Sequence, residues 1–316
     1  MSRYIDTKTG LMQKTMKHMG KDVVTTDIRL IEGLPVSSIL GLFGPRASGK
    51  TILSIQLGFD VMSQLDDGGN VMYIDTEGNY HAFVSWIDRF SKVYGIDCDM
   101  ISGSYNKDDG VEFEDDDSES DSCKFYVVDI RDIENLLSFV GTGLSLDVQK
   151  SKIDVTPDPD TWVSRFEDSE LGILLADKGI CYMVLDSISN PLKKFPTQQQ
   201  NFPARATTGY NILLQLQQAA KIYSMPVVCI THQSNNPTRT WERPNFAGGM
   251  AIGYNFKFNL FMSRKRTQRT TKTLKRSSNV AEVWIERAPD KPAWDESGYV
   301  EIELTEDGFM EHKRKG

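Results

Sequence analysis

The chain has 316 residues, a net charge of −8, 39% hydrophobic and 25% charged residues, the balance of a globular enzyme built on one large α/β core with insertions. Its four cysteines, Cys98, Cys123, Cys181 and Cys229, lie far apart with no C-x-x-C pair, which argues against a zinc site or a disulfide framework and for a reducing compartment. No apolar run has the length of a membrane span and the first residues carry no apolar signal segment, so a soluble, cytoplasmic protein with no membrane contact is expected.

Residues 1–24 read as a polar N-terminal arm with weak helical character around Leu11–Met19. The core runs from 25 to 316. Ser37–Phe43 (SSILGLF) is an apolar run with the length of a buried strand. Thr51–Leu65 follows as a helix whose apolar positions are too dense for a surface helix. Val71–Ile74 is a second strand, and Phe83–Tyr94 carries apolar residues at helical spacing. Phe125–Val128 reads as a third strand, Ile133–Val140 as an amphipathic helix, and Cys181–Leu185 and Val227–Ile230 as two more strands separated by a helix at Ala206–Tyr223. This alternation predicts a mostly parallel central sheet flanked by helices. Asn255–Met262, Ala281–Glu286 and Tyr299–Leu304 are expected as antiparallel strands at the C-terminal edge.

Two stretches interrupt the rhythm. Ser104–Ser122 is polar, with seven acids between Glu112 and Asp121, and is expected to be a mobile loop. Gly141–Asp160 reads as a second insertion. Arg264–Arg276 holds seven bases and no acid and reads as a basic hairpin. It suits a second DNA contact, a solvated ribbon, or a partner for another protomer's acidic loop. The overall acidity does not exclude nucleic acid, because binding needs only a local basic surface.

The strongest motif is Gly44-Pro45-Arg46-Ala47-Ser48-Gly49-Lys50-Thr51, which matches G-x-x-x-x-G-K-[ST]. Glycines let backbone N–H groups approach a phosphate, and the helix that starts at Lys50 and continues through Ile52 points its positive end at the anion. Lys50 supplies a cation for the β- and γ-phosphates, and the Thr51 hydroxyl is a Mg²⁺ ligand. Strand tips then become informative, because ligands of open parallel sheets bind beyond the carboxyl ends of strands. Asp186 ends Cys181–Leu185 and suits a second Mg²⁺ carboxylate; the other reading is a cap of the next turn. Glu77 ends Tyr73-Ile-Asp-Thr-Glu77 and suits the polarisation of an attacking water, or is a solvated loop acid. Gln233 is placed to sense the γ-phosphate, a task its neighbour His232 also fits.

These tips, Gly44–Thr51, Tyr73–Gly78 (YIDTEG), Val184–Ser187 (VLDS) and Val227–Gln233 (VVCITHQ), with the pair Gly248-Gly249 just after, resemble in this order the RecA/RadA recombinase family, especially its archaeal and eukaryotic branch. The resemblance spans roughly residues 25 to 310. It implies a RecA-like P-loop core, ATP and Mg²⁺ as cofactors, ATP bound between protomers, self-association into filaments or rings, and single-stranded DNA as partner, with duplex DNA as a further candidate. By family position one DNA loop would be Asn190–Ala204, with Lys193, Lys194 and Phe195, leading into Arg205. The other would be Ser234–Ala247, with Arg239, Trp241 and Arg243; bases with interleaved aromatics suit strand binding. Pro289 and Asp290 would cap a neighbour's adenine. No helix-hairpin-helix pattern like that of full-length RadA is read before the core, so the expectation is an accessory paralogue resembling RadB or a viral relative. An accessory mediator that uses ATP as a conformational switch and a KaiC-like ring-forming signalling ATPase are the alternatives.

Overall fold

The computed structural model describes residues 34–65, 69–114, 122–149, 152–158, 160, 165–193, 195, 201–233, 250–253, 255–256, 258–266, 277–287 and 299–311, and backbone at 4–5, 16–18 and 21–23. Among the described residues, eleven strands form the main sheet. In chain order they are β1 (Ile39–Gly44), β2 (Asn70–Asp75), β3 (Cys98–Asn106), β4 (Gly110–Phe113), β5 (Cys123–Asp129), β6 (Ile180–Asp186), β7 (Val227–His232), β8 (Phe258–Arg266), β9 (Ser277–Arg287), β10 (Tyr299–Thr305) and β11 (Gly308–Glu311). Their spatial order is β11-β10-β9-β8-β1-β7-β6-β2-β5-β3-β4. The strands from β8 across to β3 run parallel, and β4, β9, β10 and β11 are antiparallel additions at the two edges.

The central strands are apolar because both of their faces are covered. Along β1, Leu40 and Leu42 point into one core layer while Ile39 and Phe43 point into the other; along β2, Val71 and Tyr73 divide from Met72 and Ile74 in the same way. The first layer lies under α1 (Lys50–Met62) and α2 (Tyr80–Tyr94). The second lies under α3 (Ile133–Phe139), α4 (Glu170–Asp177) and α6 (Phe202–Ile222). A short helix, α5 (Ser189–Leu192), follows β6.

Helix α1 is buried on nearly every side. Its buried polar side chains each have a partner, as the cost of an unpaired buried polar group requires. Ser54 Oγ meets Tyr73 OH at 3.2 Å, and Asp60 accepts from Tyr94 OH at 2.6 Å. Gln56 makes a two-way contact with the last strand: its Nε2 donates to the Phe309 carbonyl at 3.0 Å and its Oε1 accepts from the Phe309 N–H at 2.7 Å. The C-terminal hairpin is thereby fastened to the helix that carries Lys50 and Thr51.

The structure corrects several expectations. β8 is antiparallel to β9 but parallel to β1, with Phe258 opposite Leu40 and Phe261 opposite Phe43; the chain between β7 and β8 is long enough for the crossover that a parallel strand needs. Part of the predicted acidic loop is an edge hairpin, because β3 runs to Asn106 and pairs with β4. The acids masked a period-two signal: Val111 and Phe113 pack against the core, and the turn closes at Gly110 with φ 82°. Residues 115–121 lie outside the described residues. Near the N-terminus, Met16–His18 is an extended strand paired with Lys21–Val23 rather than helix; a short polar stretch gains little from helix formation on its own. Within 141–160 the chain forms a separate two-stranded hairpin, Leu144–Gln149 with Lys152–Pro157. Among the described residues no helix is long and apolar enough to cross a membrane.

Candidate nucleotide site

Four parallel strand tips, those of β1, β7, β6 and β2, lie side by side in the sheet, and the turns that follow them meet at one cleft of about 500 Å³. Its lining includes Arg46 through Ile52, Glu77, Asp186 and His232.

The loop after β1 has the backbone of an anion cradle. Gly44 has φ 155°, Ala47 φ 58° and Gly49 φ 103°, the alternation that turns successive N–H groups toward one point. Two of its glycines are required by close contacts. A Cβ on Gly44 would lie 1.9 Å from the Met262 carbonyl oxygen, and one on Gly49 would lie 2.6 Å from the Phe309 ring. Lys50 opens α1, is 5% exposed, and curls back over the loop. Its Nζ donates to the carbonyls of Gly44 and Pro45 at 3.2 and 2.8 Å and to Ser48 Oγ at 3.3 Å. Burial lowers its pKa to about 8, against the pull of the Asp186 and Glu77 carboxylates.

Asp186 ends β6 beneath the start of α1. Thr51 Oγ1 donates to Asp186 Oδ2 at 2.6 Å, and Tyr73 OH donates to the same oxygen at 2.8 Å. Burial raises the Asp186 pKa to about 6, with the charge of Glu77 adding to it and the two hydroxyls opposing. A hydroxyl and a carboxylate held together beside a phosphate cradle fit Mg²⁺, which takes a few protein oxygens and completes its shell with phosphates and water. Thr51 and Asp186 are the residues that would hold it. Side chains at Gly44 and Gly49 would collide with Met262 and Phe309, so glycine at both positions lets the loop pack against β8 and β11.

Glu77 is held on the far side of the cleft. Its Oε1 accepts from Ser187 Oγ at 2.7 Å and lies 2.5 Å from His232 Nε2. Burial alone would raise its pKa, but the His232 and Ser187 hydrogen bonds outweigh it and bring the value to about 2. A carboxylate that acidic only accepts, so His232 Nε2 carries the proton. The turn that presents Glu77 is organised by Asp75, whose carboxylate accepts the backbone N–H groups of Glu77, Gly78 and Asn79 at 2.8, 3.1 and 2.7 Å. Thr76 bolts this turn to β6: its Oγ1 donates to the Ser187 carbonyl at 2.8 Å and accepts the Ser187 N–H at 2.9 Å. The Asp186–Ser187 peptide is cis.

The other expected residues are distributed differently. The Gln233 backbone N–H donates to the Gly44 carbonyl at 3.0 Å, while His232 is the residue of that pair that lines the cleft. Lys193 is exposed at the end of α5. Burial lowers its pKa, with Glu77 opposing and Arg46 and Arg205 adding to the shift, so it stands electrostatically beside the cleft. Arg205 lies in the first turn of α6, half-buried, and burial lowers its pKa. Phe195, expected as a DNA-loop aromatic, is instead 2% exposed within the second core layer; its ring is worth more buried than presented to a strand. Lys194, Arg239, Trp241, Arg243, Gly248, Gly249, Pro289 and Asp290 lie outside the described residues.

Sequence reasoning missed Asp75, Thr76, Tyr73 and Ser187 as parts of the site. Asp75 carried a signal, because an Asp followed by Thr-Glu-Gly-Asn is the pattern of a side chain capping the N–H groups just ahead of it. Tyr73 and Ser187 carried none, since their partners are more than a hundred residues away in sequence.

An open, mostly parallel sheet with a glycine-bounded loop after one strand and acidic residues at the tips of two neighbouring strands has the architecture of a RecA-like α/β core. The crystal structure of the RadB recombinase has this fold: it matches with a TM-score of 0.53 at 16% identity, covering 89% of this chain and 94% of that one. In sequence, the DNA repair protein recA homolog 1, chloroplastic, of Arabidopsis thaliana is 35% identical over 79 residues, 25% of this chain and 16% of that protein. No family model matches the sequence. The two likenesses together support a relationship to the RecA/RadA family.

Proposed function

We propose that this chain binds ATP with Mg²⁺ on the Gly44–Thr51 loop and hydrolyses it as a DNA-stimulated recombinase or recombinase paralogue that assembles on single-stranded DNA. The observation that carries the reading is the convergence of Lys50, Thr51, Asp186 and Glu77 on one cleft. Lys50 would leave the loop carbonyls for the β- and γ-phosphate oxygens, which are stronger acceptors. Thr51 and Asp186 would hold Mg²⁺, which when bound would supply positive charge for the phosphates. Glu77 would orient the attacking water. Its pKa of about 2 makes it a poor proton acceptor, which fits phosphoryl transfer, where positioning outweighs base strength. His232, with Gln233 next to it, would report the γ-phosphate to the segment that follows β7.

DNA contact would come from Lys193, Lys194 and Arg205 on one segment and from Arg239, Trp241 and Arg243 on the other. Pro289 and Asp290 would cover the adenine of a neighbouring protomer. The test is the ATPase rate with and without single-stranded DNA, in the parent and in Glu77→Gln. Stimulation by DNA and its loss in the variant support the reading, whereas a rate indifferent to DNA removes the DNA half of it.

One observation favours a second reading, an accessory mediator that uses ATP as a conformational switch. Glu77 is engaged by Ser187 and His232, so nucleotide binding would have to release it. Glu77→Gln that abolishes hydrolysis but leaves function in cells intact would select the mediator.

A further inference from the structure

The basic stretch that opens at Arg264 reads in sequence as a basic hairpin, but its first residue lines the cleft of the Gly44–Thr51 loop. β8 runs parallel to β1 as far as Phe261 opposite Phe43 and then continues past the phosphate loop to Arg266. Side chains alternate along a strand. Phe258, Leu260 and Met262 face the core layer under α1, and the next residue on that face is Arg264. Lys265 faces the other way, its Nζ 2.8 Å from Glu301 Oε1. Met262 already touches the cradle: its carbonyl oxygen abuts Gly44 and its Cε lies 3.2 Å from the Cβ position of Gly49. Two residues further on, about 7 Å along the strand, Arg264 lines the same cleft as Arg46, Lys50, Thr51 and Asp186. Among the described residues its guanidinium has neither an ion-pair nor a hydrogen-bond partner, whereas the side chain of its neighbour Lys265 is matched.

We infer that Arg264 is a phosphate-chain ligand for the bound nucleoside triphosphate, supplied by the same protomer from the root of the basic hairpin. The inference rests on the reading of the Gly44–Thr51 loop as a nucleotide site. A guanidinium suits the task because its planar fork matches two phosphate oxygens at once and stays charged at every working pH. It also gives the hairpin a direct link to nucleotide state, since β8 passes from the cradle into the run Arg264–Arg276 within a single residue.

The experiment measures binding of a fluorescent ATP analogue with Mg²⁺, without DNA, to the parent chain and to Arg264→Ala, Arg264→Lys and Lys50→Ala. Arg264→Ala should weaken binding roughly ten- to hundredfold, Arg264→Lys should recover part of the loss, and the melting temperature without nucleotide should not move. If Lys50→Ala loses binding while Arg264→Ala binds as tightly as the parent, the inference is overturned and the cradle reading stands. If Arg264→Ala keeps nucleotide affinity but binds single-stranded DNA more weakly, Arg264 is a DNA contact and the inference is again overturned. A parent chain that binds no nucleotide removes both.

Discussion

His232 Nε2 lies 2.5 Å from Glu77 Oε1, and this one contact joins the tips of β7 and β2 across the intervening strand β6. The strand that leads to the second proposed DNA segment is thus connected to the carboxylate proposed to orient water. In His232→Ala, Glu77 loses a hydrogen bond and a favourable charge, so its titration should move up from about 2 toward the ordinary carboxylate range. Carboxyl chemical shifts followed against pH would show this. In the parent, the stability contributed by Glu77 is present above its unfolded value of 4.5 and is lost as pH falls through about 2. His232→Ala should flatten that acid limb; an unchanged limb would mean that the imidazole does not hold Glu77.

Metal dependence should carry the signature of Asp186. Its folded pKa of about 6 lies above the ordinary value of 3.8 because of burial. The linkage therefore runs opposite to that of Glu77: the protonated group favours the folded chain below 3.8, and this contribution is lost as pH rises through about 6. Mg²⁺ requires the carboxylate, so Mg²⁺-supported nucleotide binding should strengthen as pH rises from 5 to 7. Asp186→Asn should be weak at all pH values and lose that slope, as read by titration with and without Mg²⁺.

Tyr73→Phe removes one of the two hydroxyls that stabilise the Asp186 carboxylate. The Asp186 titration should then shift further upward, and the pH at which Mg²⁺ supports binding should rise with it. The lost buried hydrogen bond should also cost about 1–2 kcal/mol of folding stability, measurable by denaturant unfolding. A pH profile identical to the parent's would show that the Tyr73 hydroxyl does not tune the carboxylate.

Gly44→Ala tests the close approach of β8 to the phosphate loop. The added methyl would sit 1.9 Å from the Met262 carbonyl oxygen, a backbone atom, so the two strands would have to part. The expected loss is on the order of 2–4 kcal/mol of stability together with nucleotide affinity. Gly95→Ala is the control for backbone strain, because Gly95 also has positive φ but a Cβ there meets nothing within 4 Å. It should cost less and spare nucleotide binding.

Much of this arrangement was legible from local sequence. The parallel strands announce themselves as apolar runs because both of their faces are buried, and Gly44–Thr51 announces itself because an anion cradle tolerates few residue types. Glu77 and Asp186 stand out because each closes an apolar run, and the structure brings both to one cleft. What stayed hidden depends on pairings made at a distance. β3 alternates buried and exposed side chains too irregularly to be read as a strand, and the acids around β4 hid Val111 and Phe113. Phe195 looked available because it sits among lysines, yet its neighbours in space are core residues. Arg264 looked like the start of a solvent-exposed basic run because sequence does not reveal that β8 lies against β1.

The contact between Gln56 and Phe309 crosses 253 positions of sequence, and Phe309 packs directly behind Gly49. The Gly44–Thr51 loop is therefore made well before the ring that supports it, which lies beyond every other strand of the sheet but its own. A nascent chain that has formed only β1 and α1 still lacks the ring behind Gly49, and the loop gains that support when β11 joins the sheet.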